Sequence, residues 1–329
     1  MLLSIIIPSY NHAQFVLTTI RAAAAIDVRE KEIIVIDDGS SDDSAKLIQE
    51  YIAASGVNSN IRLIARENRG LVKTLNQGLS ISQGKYFYIV ASDDIPISKG
   101  IARLVSILEA DPKLQFALGN ALSMESEQQH VFHTTYGEAH TRFFSLPDNL
   151  RCKELFLNYP QPILLQSTVF RAATLKNIDG WREDIILDDM SMFTRMLSRA
   201  SAMGKDFEFR PEIMTCFYRR HPANISRNEC RQFQTIEQLL VLLCPPELKS
   251  AALLRNFVSY AIPSVKGRRI LQAMRFFRST IRHLGLIRFM RAAASEFRGI
   301  LADRSVRRHA SKREMTVLHE PPDKLMGRM

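Results

Sequence analysis

Two short stretches decide the fold: Leu3-Ser4-Ile5-Ile6-Ile7-Pro8-Ser9-Tyr10-Asn11 and Glu32-Ile33-Ile34-Val35-Ile36-Asp37-Asp38-Gly39-Ser40. Each is a run of β-branched residues that stops abruptly at polar and turn-forming ones. A continuous apolar run of this length is the pattern of a strand buried on both faces, as in a parallel sheet. Between them Asn11–Ala25 has helical character, and Ser41 or Asp42 can cap a second helix running to about Ala54. Working outward, the same alternation continues. Strands are expected at Ile61–Ala65, Lys85–Val90 and Gln115–Leu118, with helices at Leu71–Ser82 and Ser98–Ala110. Strand, helix, strand in regular succession means βαβ units and a mainly parallel sheet flanked by helices, an α/β fold of Rossmann-like plan.

Ligands of such sheets sit beyond the carboxyl ends of the strands. The loops there read Pro8-Ser9-Tyr10-Asn11, Asp37-Asp38-Gly39-Ser40, Glu67-Asn68-Arg69-Gly70 and Ala91-Ser92-Asp93-Asp94. Acidic, amide and glycine residues recur at all four. Neighbouring carboxylates at a strand end are costly unless a cation neutralises them, and hard oxygen ligands suit Mg²⁺ or Mn²⁺ beside substrate phosphates. For each acidic pair taken alone, a solvated turn or a helix cap is the competing reading.

Residues 121–165 look loop-rich, with histidines at 130, 133 and 140, and are expected to wall an acceptor cleft. Beyond them a strand is expected at Ser167–Arg171, a helix from Asp189 to Ala200, a strand at Glu212–Tyr218 and an amphipathic helix at Arg231–Leu243. Pro245-Pro246 marks a boundary. From Lys266 to about Leu301, apolar residues at 270, 274, 277, 281, 284 and 287 are interleaved with arginines, a basic amphipathic helix broken near Gly285. The expected organisation is a domain over 1–228 in two halves, 1–120 and 121–228. A helical, partly basic extension (229–301) and a disordered tail (302–329) follow.

Taken together, the four loops resemble the amino-terminal signature of the family 2 inverting glycosyltransferases of GT-A fold, of the bacterial polysaccharide and O-antigen type. The residues that carry the resemblance are Ser4 to Asn11, Ile34 to Asp42, Glu67 to Gly70 with Thr74-Leu75-Asn76-Gln77-Gly78, and Gly84-Lys85-Tyr86 leading into Ala91 to Asp94. The resemblance implies that Pro8, Ser9, Tyr10, Asn11 and Asp38 cradle the nucleotide. It also puts Asn68, Gly70, Asn76, Ser92 and Asp93 near the donor, and Asp93 and Asp94 on a Mg²⁺ or Mn²⁺ ion at the diphosphate. The aspartate that often opens the family's D-x-D is Ala91 here. Gln166 to Arg171, Gly180-Trp181 and Leu187 to Arg195 resemble the family's acceptor region, which assigns Asp189 as catalytic base. Trp181, Asp188, Arg219 and His221 are implied as acceptor or phosphate contacts, with core packing the competing reading for Trp181, helix capping for Asp188 or Asp189, and a surface basic loop for Arg219 and His221. Transfer of a hexosyl group from a nucleotide-diphosphate sugar to a saccharide or lipid-linked saccharide is the activity this implies, in cell-surface polysaccharide or glycolipid assembly.

Charge is distributed unevenly. The chain carries 44 Lys/Arg and 34 Asp/Glu, but 18 of the basic and only 6 of the acidic residues lie from Pro245 onward. The preceding body is slightly acidic, which argues against nucleic acid as partner. The basic helix suits an anionic membrane surface, with packing on the catalytic body as the bland alternative. No run approaches the ~18 apolar residues of a membrane span, and Met1–Pro8 reads as a strand rather than a leader. Four scattered cysteines (Cys152, Cys216, Cys230, Cys244) are expected as free thiols. The expectation is a cytoplasmic protein, peripheral on the inner face of the cell membrane. The rival activities are a sugar-nucleotide-forming nucleotidyltransferase and a non-enzymatic membrane-surface or nucleic-acid binder. The first would carry a glycine-rich phosphate loop after the first strand, which Pro8-Ser9-Tyr10-Asn11 is not.

Overall fold

The computed structural model describes residues 1–55, 60–125, 128–220 and 228–303. The strands are β1 Leu3–Ser9, β2 Lys31–Asp38, β3 Ile61–Arg66, β4 Tyr86–Ile89, β5 Ile95–Pro96, β6 Phe116–Glu125, β7 Gln128–Thr134, β8 Thr168–Arg171 and β9 Phe207–Arg220. Helices α1 Val16–Ala24, α2 Ser44–Ala54, α3 Leu71–Ile81 and α4 Ser98–Ala110 occupy the amino-terminal half. Then come α5 Glu138–Phe144, α6 Asp148–Leu157, α7 Ala172–Asn177 and α8 Asp189–Leu197. The carboxyl-terminal helices are α9 Glu229–Leu243, α10 Pro246–Lys266, α11 Ile270–Leu284 and α12 Leu286–Asp303. Among the described residues, 1–148 and 160–220 form one compact unit, and 149–159 with 228–303 form another.

The strands of the first unit form one sheet in the order β3-β2-β1-β4-β8-β6-β9-β5, with β7 paired to β6. The four amino-terminal members, β3, β2, β1 and β4, all run parallel. Beyond β4 the sheet is mixed: β8 is antiparallel to both neighbours, while β6 and β9 run parallel to each other. Leu3, Ile5, Ile6 and Ile7 of β1 are fully buried, as are Ile33 to Ile36 of β2, so the unbroken apolar runs do mark strands covered on both faces. In α1 the buried positions are Val16, Thr19, Ile20 and Ala23, and in α4 they include Ile101, Leu104, Val105 and Leu108. That three-and-four spacing lays one stripe of each helix on the sheet, and both stripes enter one apolar cluster with Ile5, Ile7, Val35 and Tyr88.

Several boundaries differ from the sequence expectation. α1 starts at Val16 rather than Asn11, because Asn11 takes a left-handed backbone (φ 54°) and residues 12–15 close a turn. Asp43 occupies the cap position of α2 without a side-chain bond, and Asp42 instead accepts the Ser44 and Ala13 N–H groups. β6 and β9 are both longer than expected, and the region expected to be loop-rich contains β7, α5 and α6. In the second unit α10 fills the stretch after Pro245-Pro246 that carried no assignment. The basic helix is indeed divided at Gly285 (φ 73°). None of the four cysteines forms a disulfide. The expected tail falls, from residue 304 onward, outside the described residues.

Candidate active site

Parallel pairing puts the carboxyl ends of the first four strands on one edge: Ser9 lies opposite Asp37 and Asp38 opposite Arg66. The loops that follow are tied to one another. Asn11 donates its N–H to the Ser40 hydroxyl (2.9 Å) and accepts the Ser41 N–H on its side-chain oxygen (2.8 Å). The Asp37 carboxylate folds onto the Ser40 N–H and hydroxyl (3.0 and 2.6 Å), closing the second loop. Asp38 is buried, and its two oxygens accept the Arg69 and Gly70 N–H groups (both 2.8 Å), with the Arg66 guanidinium on the first. Arg66 is held in turn by Gln77 and Thr74 of α3 (2.7 Å each). Gly70 sits at φ 88°, where a side chain is rarely accommodated. Asp38 therefore fixes the loop bearing Asn68 and Gly70. Pro8 is half-buried, Ser9 is buried, and Tyr10 and Asn68 are exposed at the rim.

At the end of β4 the acidic pair divides its work. The Asp94 oxygens accept the Arg219 backbone N–H (2.8 Å) and the Gln166 amide (2.7 Å). Burial, and then the Asp93 charge beside it, push Asp94 well above the usual carboxylate range. Asp93 is 7% exposed, and its carboxylate lies 3.9 Å from His12 Nε2. The other ring nitrogen of His12 shares a proton with the Ser92 hydroxyl (2.8 Å). The Thr19 hydroxyl sits between the Ser92 and Asp94 carbonyls (2.8 and 2.7 Å), fixing the backbone that presents the pair. The Arg219 guanidinium lies over the Phe15 ring (4.5 Å) and feels both carboxylates. Among the described residues no group of three or more His, Cys, Asp or Glu side chains is arranged to hold a metal ion. Both Asp94 oxygens accept a hydrogen bond, and the Asp93 carboxylate lies beside them on the same edge. One protein carboxylate plus phosphate oxygens is a donor set that Mg²⁺ and Mn²⁺ accept, so the residues fit an ion that arrives with a diphosphate.

The second acidic pair opens α8. Asp188 occupies the cap position of α8 without the usual side-chain cap bond. Asp189 accepts the Met190 N–H (2.5 Å) on one oxygen. Burial first, and then the Asp188 charge, push the Asp189 carboxyl up to about 8. The segment before it is clamped from two sides. Arg195 of α8 donates to the Ile178 and Gly180 carbonyls, and the Asn76 carboxamide bonds both the N–H and the carbonyl of Trp181 (2.8 Å each).

Asn76 spends its side-chain oxygen and one N–H on the Trp181 backbone, and so positions that segment. Trp181 is only 2% exposed, its ring against Phe87 (6.3 Å), so it packs in the core and presents no face to an acceptor sugar. His221 lies outside the described residues. Neither His12 nor Gln166 was singled out from the sequence, although His12 directly follows the Tyr10-Asn11 loop and Gln166 opens the acceptor motif. A chain of neighbours connects the two acidic pairs: Gln166 on Asp94, then Ser167, whose hydroxyl meets Tyr136 (2.6 Å), and Tyr136, which feels the charge of Asp189.

Comparison with known proteins gives the family and the fold. The family model "Glycosyl transferase family 2" matches residues 4–172. Poly-beta-1,6-N-acetyl-D-glucosamine synthase of Staphylococcus epidermidis is 24% identical over 192 residues, 58% of this chain and 44% of that protein. Glycosyltransferase GlyG of Streptococcus pneumoniae is 27% identical over 136 residues, 41% of this chain and 44% of that one. The chain thus spans less than half the length of these curated relatives. Among solved structures, S. aureus TarS in complex with UDP-GlcNAc aligns with a TM-score of 0.61 at 15% identity, over 97% of this chain and 99% of that one. Mannosyltransferase PcManGT of Pyrobaculum calidifontis, in complex with GDP-Man and Mn²⁺, aligns at 0.55 and 17%, over 92% and 80%. The likeness to these structures is one of fold, GT-A. Because the matched segment covers half of the sequence and contains all four strand-end loops, the chain belongs to glycosyl transferase family 2.

Proposed function

We propose that the chain transfers a glycosyl group, with inversion, from a nucleotide-diphosphate sugar to an acceptor hydroxyl, and that Asp189 is the base. The single observation that carries this is the acidic pair Asp188-Asp189 at the start of α8, linked through Tyr136, Ser167 and Gln166 to a second acidic pair at the end of β4; desolvation and the Asp188 charge push the Asp189 carboxyl up to about 8. A base works best when its pKa is near the operating pH. In one displacement the acceptor oxygen bonds to the anomeric carbon as the bond to the diphosphate oxygen breaks. The acceptor proton goes to Asp189, and the nucleoside diphosphate leaves with the electron pair. No covalent intermediate is needed.

The loops of β1, β2 and β3 are the nucleotide cradle in this reading: Pro8, Ser9, Tyr10 and Asn11 on one side, and Asn68 and Gly70, held by Asp38, on the other. Ser92 and Asp93 lie on the diphosphate side. Asp93 would hold a Mg²⁺ or Mn²⁺ ion, which offsets the charge of the diphosphate leaving group, with Asp94 shaping the loop rather than ligating. Arg219, restrained over Phe15, supplies a fixed positive charge beside the phosphates. The acceptor is a saccharide or a lipid-linked saccharide, and the product is a cell-surface polysaccharide or glycolipid, in keeping with the names of the curated relatives. An anionic membrane surface is a partner of the whole chain, which works in the cytoplasm at the inner face of the membrane.

Asp189→Asn is the test. Screening UDP- and GDP-sugars by thermal stabilisation, with Mn²⁺ or with chelator, identifies the donor. The variant then binds that donor as the parent does, while transfer falls by about 10³-fold, within the range for loss of a general base. Undiminished turnover in Asp189→Asn would remove this residue from the role.

A further inference from the structure

In the second unit, α11 carries two apolar faces. Ala273, Phe276, Thr280 and Leu284 are buried, with Phe276 stacked on Phe233 of α9 (4.3 Å). A separate stripe steps along the helix at Leu271, Met274 and Phe277, and α12 repeats the device, burying Phe289 while exposing Leu286, Ile287 and Met290. These six large apolar side chains are between 37% and 75% exposed. The two helices pack together beneath these stripes: the Phe277 ring lies edge-on to the buried Phe289 (5.2 Å), and both rings lie against Phe257 of α10 (5.9 and 5.5 Å). A scattered exposed leucine needs no explanation, but six large exposed apolar side chains on two neighbouring helices mark an interaction surface.

The charge around the patch says what kind. No Asp or Glu occurs between Glu247 and Glu296, whereas Arg275, Arg278, Arg282, Arg288 and Arg291 fall in that interval. Arg275 and Arg278 stand one helical turn beyond Leu271 and Met274, and Arg291 one turn beyond Ile287. We infer that this α11–α12 face docks on an anionic lipid surface. The apolar stripe enters the headgroup boundary and the arginines meet lipid phosphates. A second copy of the chain would set arginines against arginines with no carboxylate from residues 248–295 to meet them. Nucleic acid would leave the apolar stripe in water. Spanning is not available either, since no helix among the described residues is long and apolar enough to cross a membrane. The inference gives the membrane partner of the proposed transferase a defined face, and it stands without the transferase reading, because no donor or acceptor enters the argument.

The experiment is co-sedimentation of the full chain with phosphatidylcholine vesicles, with and without phosphatidylglycerol. The chain is expected to partition onto the anionic vesicles, less so as salt is raised. Leu271→Asp with Ile287→Asp, and separately Arg278→Glu with Arg282→Glu, are each expected to weaken partitioning by at least about tenfold, with the unfolding temperature unchanged. Equal binding to neutral and anionic vesicles, or parental binding by both double variants, overturns the inference. So does failure to sediment with anionic vesicles, and a concentration-dependent mass abolished by Ile287→Asp would then assign the face to a second copy. Because no sugar nucleotide is present, a failed transfer assay leaves this result untouched.

Discussion

In the proposed transfer, the environment of Asp189 would serve chemistry at the expense of stability. Its carboxyl is raised from the ordinary carboxylate range to about 8 by burial and by Asp188, and the two titrate as a pair. Between those limits the folded chain holds a proton that the unfolded chain has released. The stabilisation is therefore complete below the ordinary range and is lost as pH rises through about 8. Transfer runs the other way, since only the deprotonated base can accept the acceptor proton. Two measurements check this. The transfer rate should climb with pH across that interval, while the unfolding temperature of the parent falls relative to that of Asp189→Asn. The two proteins should converge in stability only below about pH 4, where the Asp189 side chain is uncharged in the folded and the unfolded chain alike. Asp38 presents a different case, a buried carboxylate accepting two backbone N–H groups and a guanidinium. Removing it strands the Arg66 charge, so Asp38→Ala is expected to cost about 3 kcal/mol or more in chemical denaturation. Donor stabilisation should be lost with it, because the Asn68–Gly70 loop loses its anchor.

Among elements, the packing of α4 on β9 depends on a missing side chain. A Cβ at Gly100 would lie 1.9 Å from the Met214 carbonyl oxygen, and a backbone oxygen cannot swing aside. Gly100→Ala should destabilise by about 2–3 kcal/mol, read as a lower denaturation midpoint with an unchanged slope. Such close approaches are invisible in sequence, whereas β1 and β2 are plain in it. Ile5-Ile6-Ile7 and Ile33 to Ile36 are buried on both faces, and few other structures tolerate such runs. The strand-end loops could be placed for the same reason, because a parallel sheet leaves its carboxyl ends on one edge. What the sequence hides is contact across distance. His12 meets Ser92 and Gln166 meets Asp94 over separations of 80 and 72 residues, and neither pairing leaves a local spacing to read. Residues 121–165 were opaque because β7 pairs with β6 across an irregular register, and α6 has no strong apolar stripe, burying only Arg151, Leu155 and Phe156. Trp181 had two readings in sequence, and only its burial against Phe87 chooses between them.

For the molecule as a whole, charge and chemistry are segregated along the chain. The acidic pairs of the first unit lie between residues 93 and 189, and the carboxylate-free, arginine-rich interval of the second begins after Glu247. If the first supplies transfer and the second a lipid surface, the two functions can be separated by the choice of acceptor. A soluble saccharide acceptor reaches the site from bulk water and has no need of the α11–α12 face. A lipid-linked acceptor in anionic vesicles is confined to a surface, and the bound enzyme then meets it at a raised local concentration. Ile287→Asp should therefore leave kcat/KM for the soluble acceptor within about twofold of the parent. The rate on the vesicle-borne acceptor should drop in step with the lost partitioning, by about tenfold. Raising salt should mimic the substitution on vesicles and do nothing in solution, because screening acts on the arginine–phosphate attraction. An equal loss on both acceptors would instead place Ile287 in the folding of the second unit and not at a lipid surface.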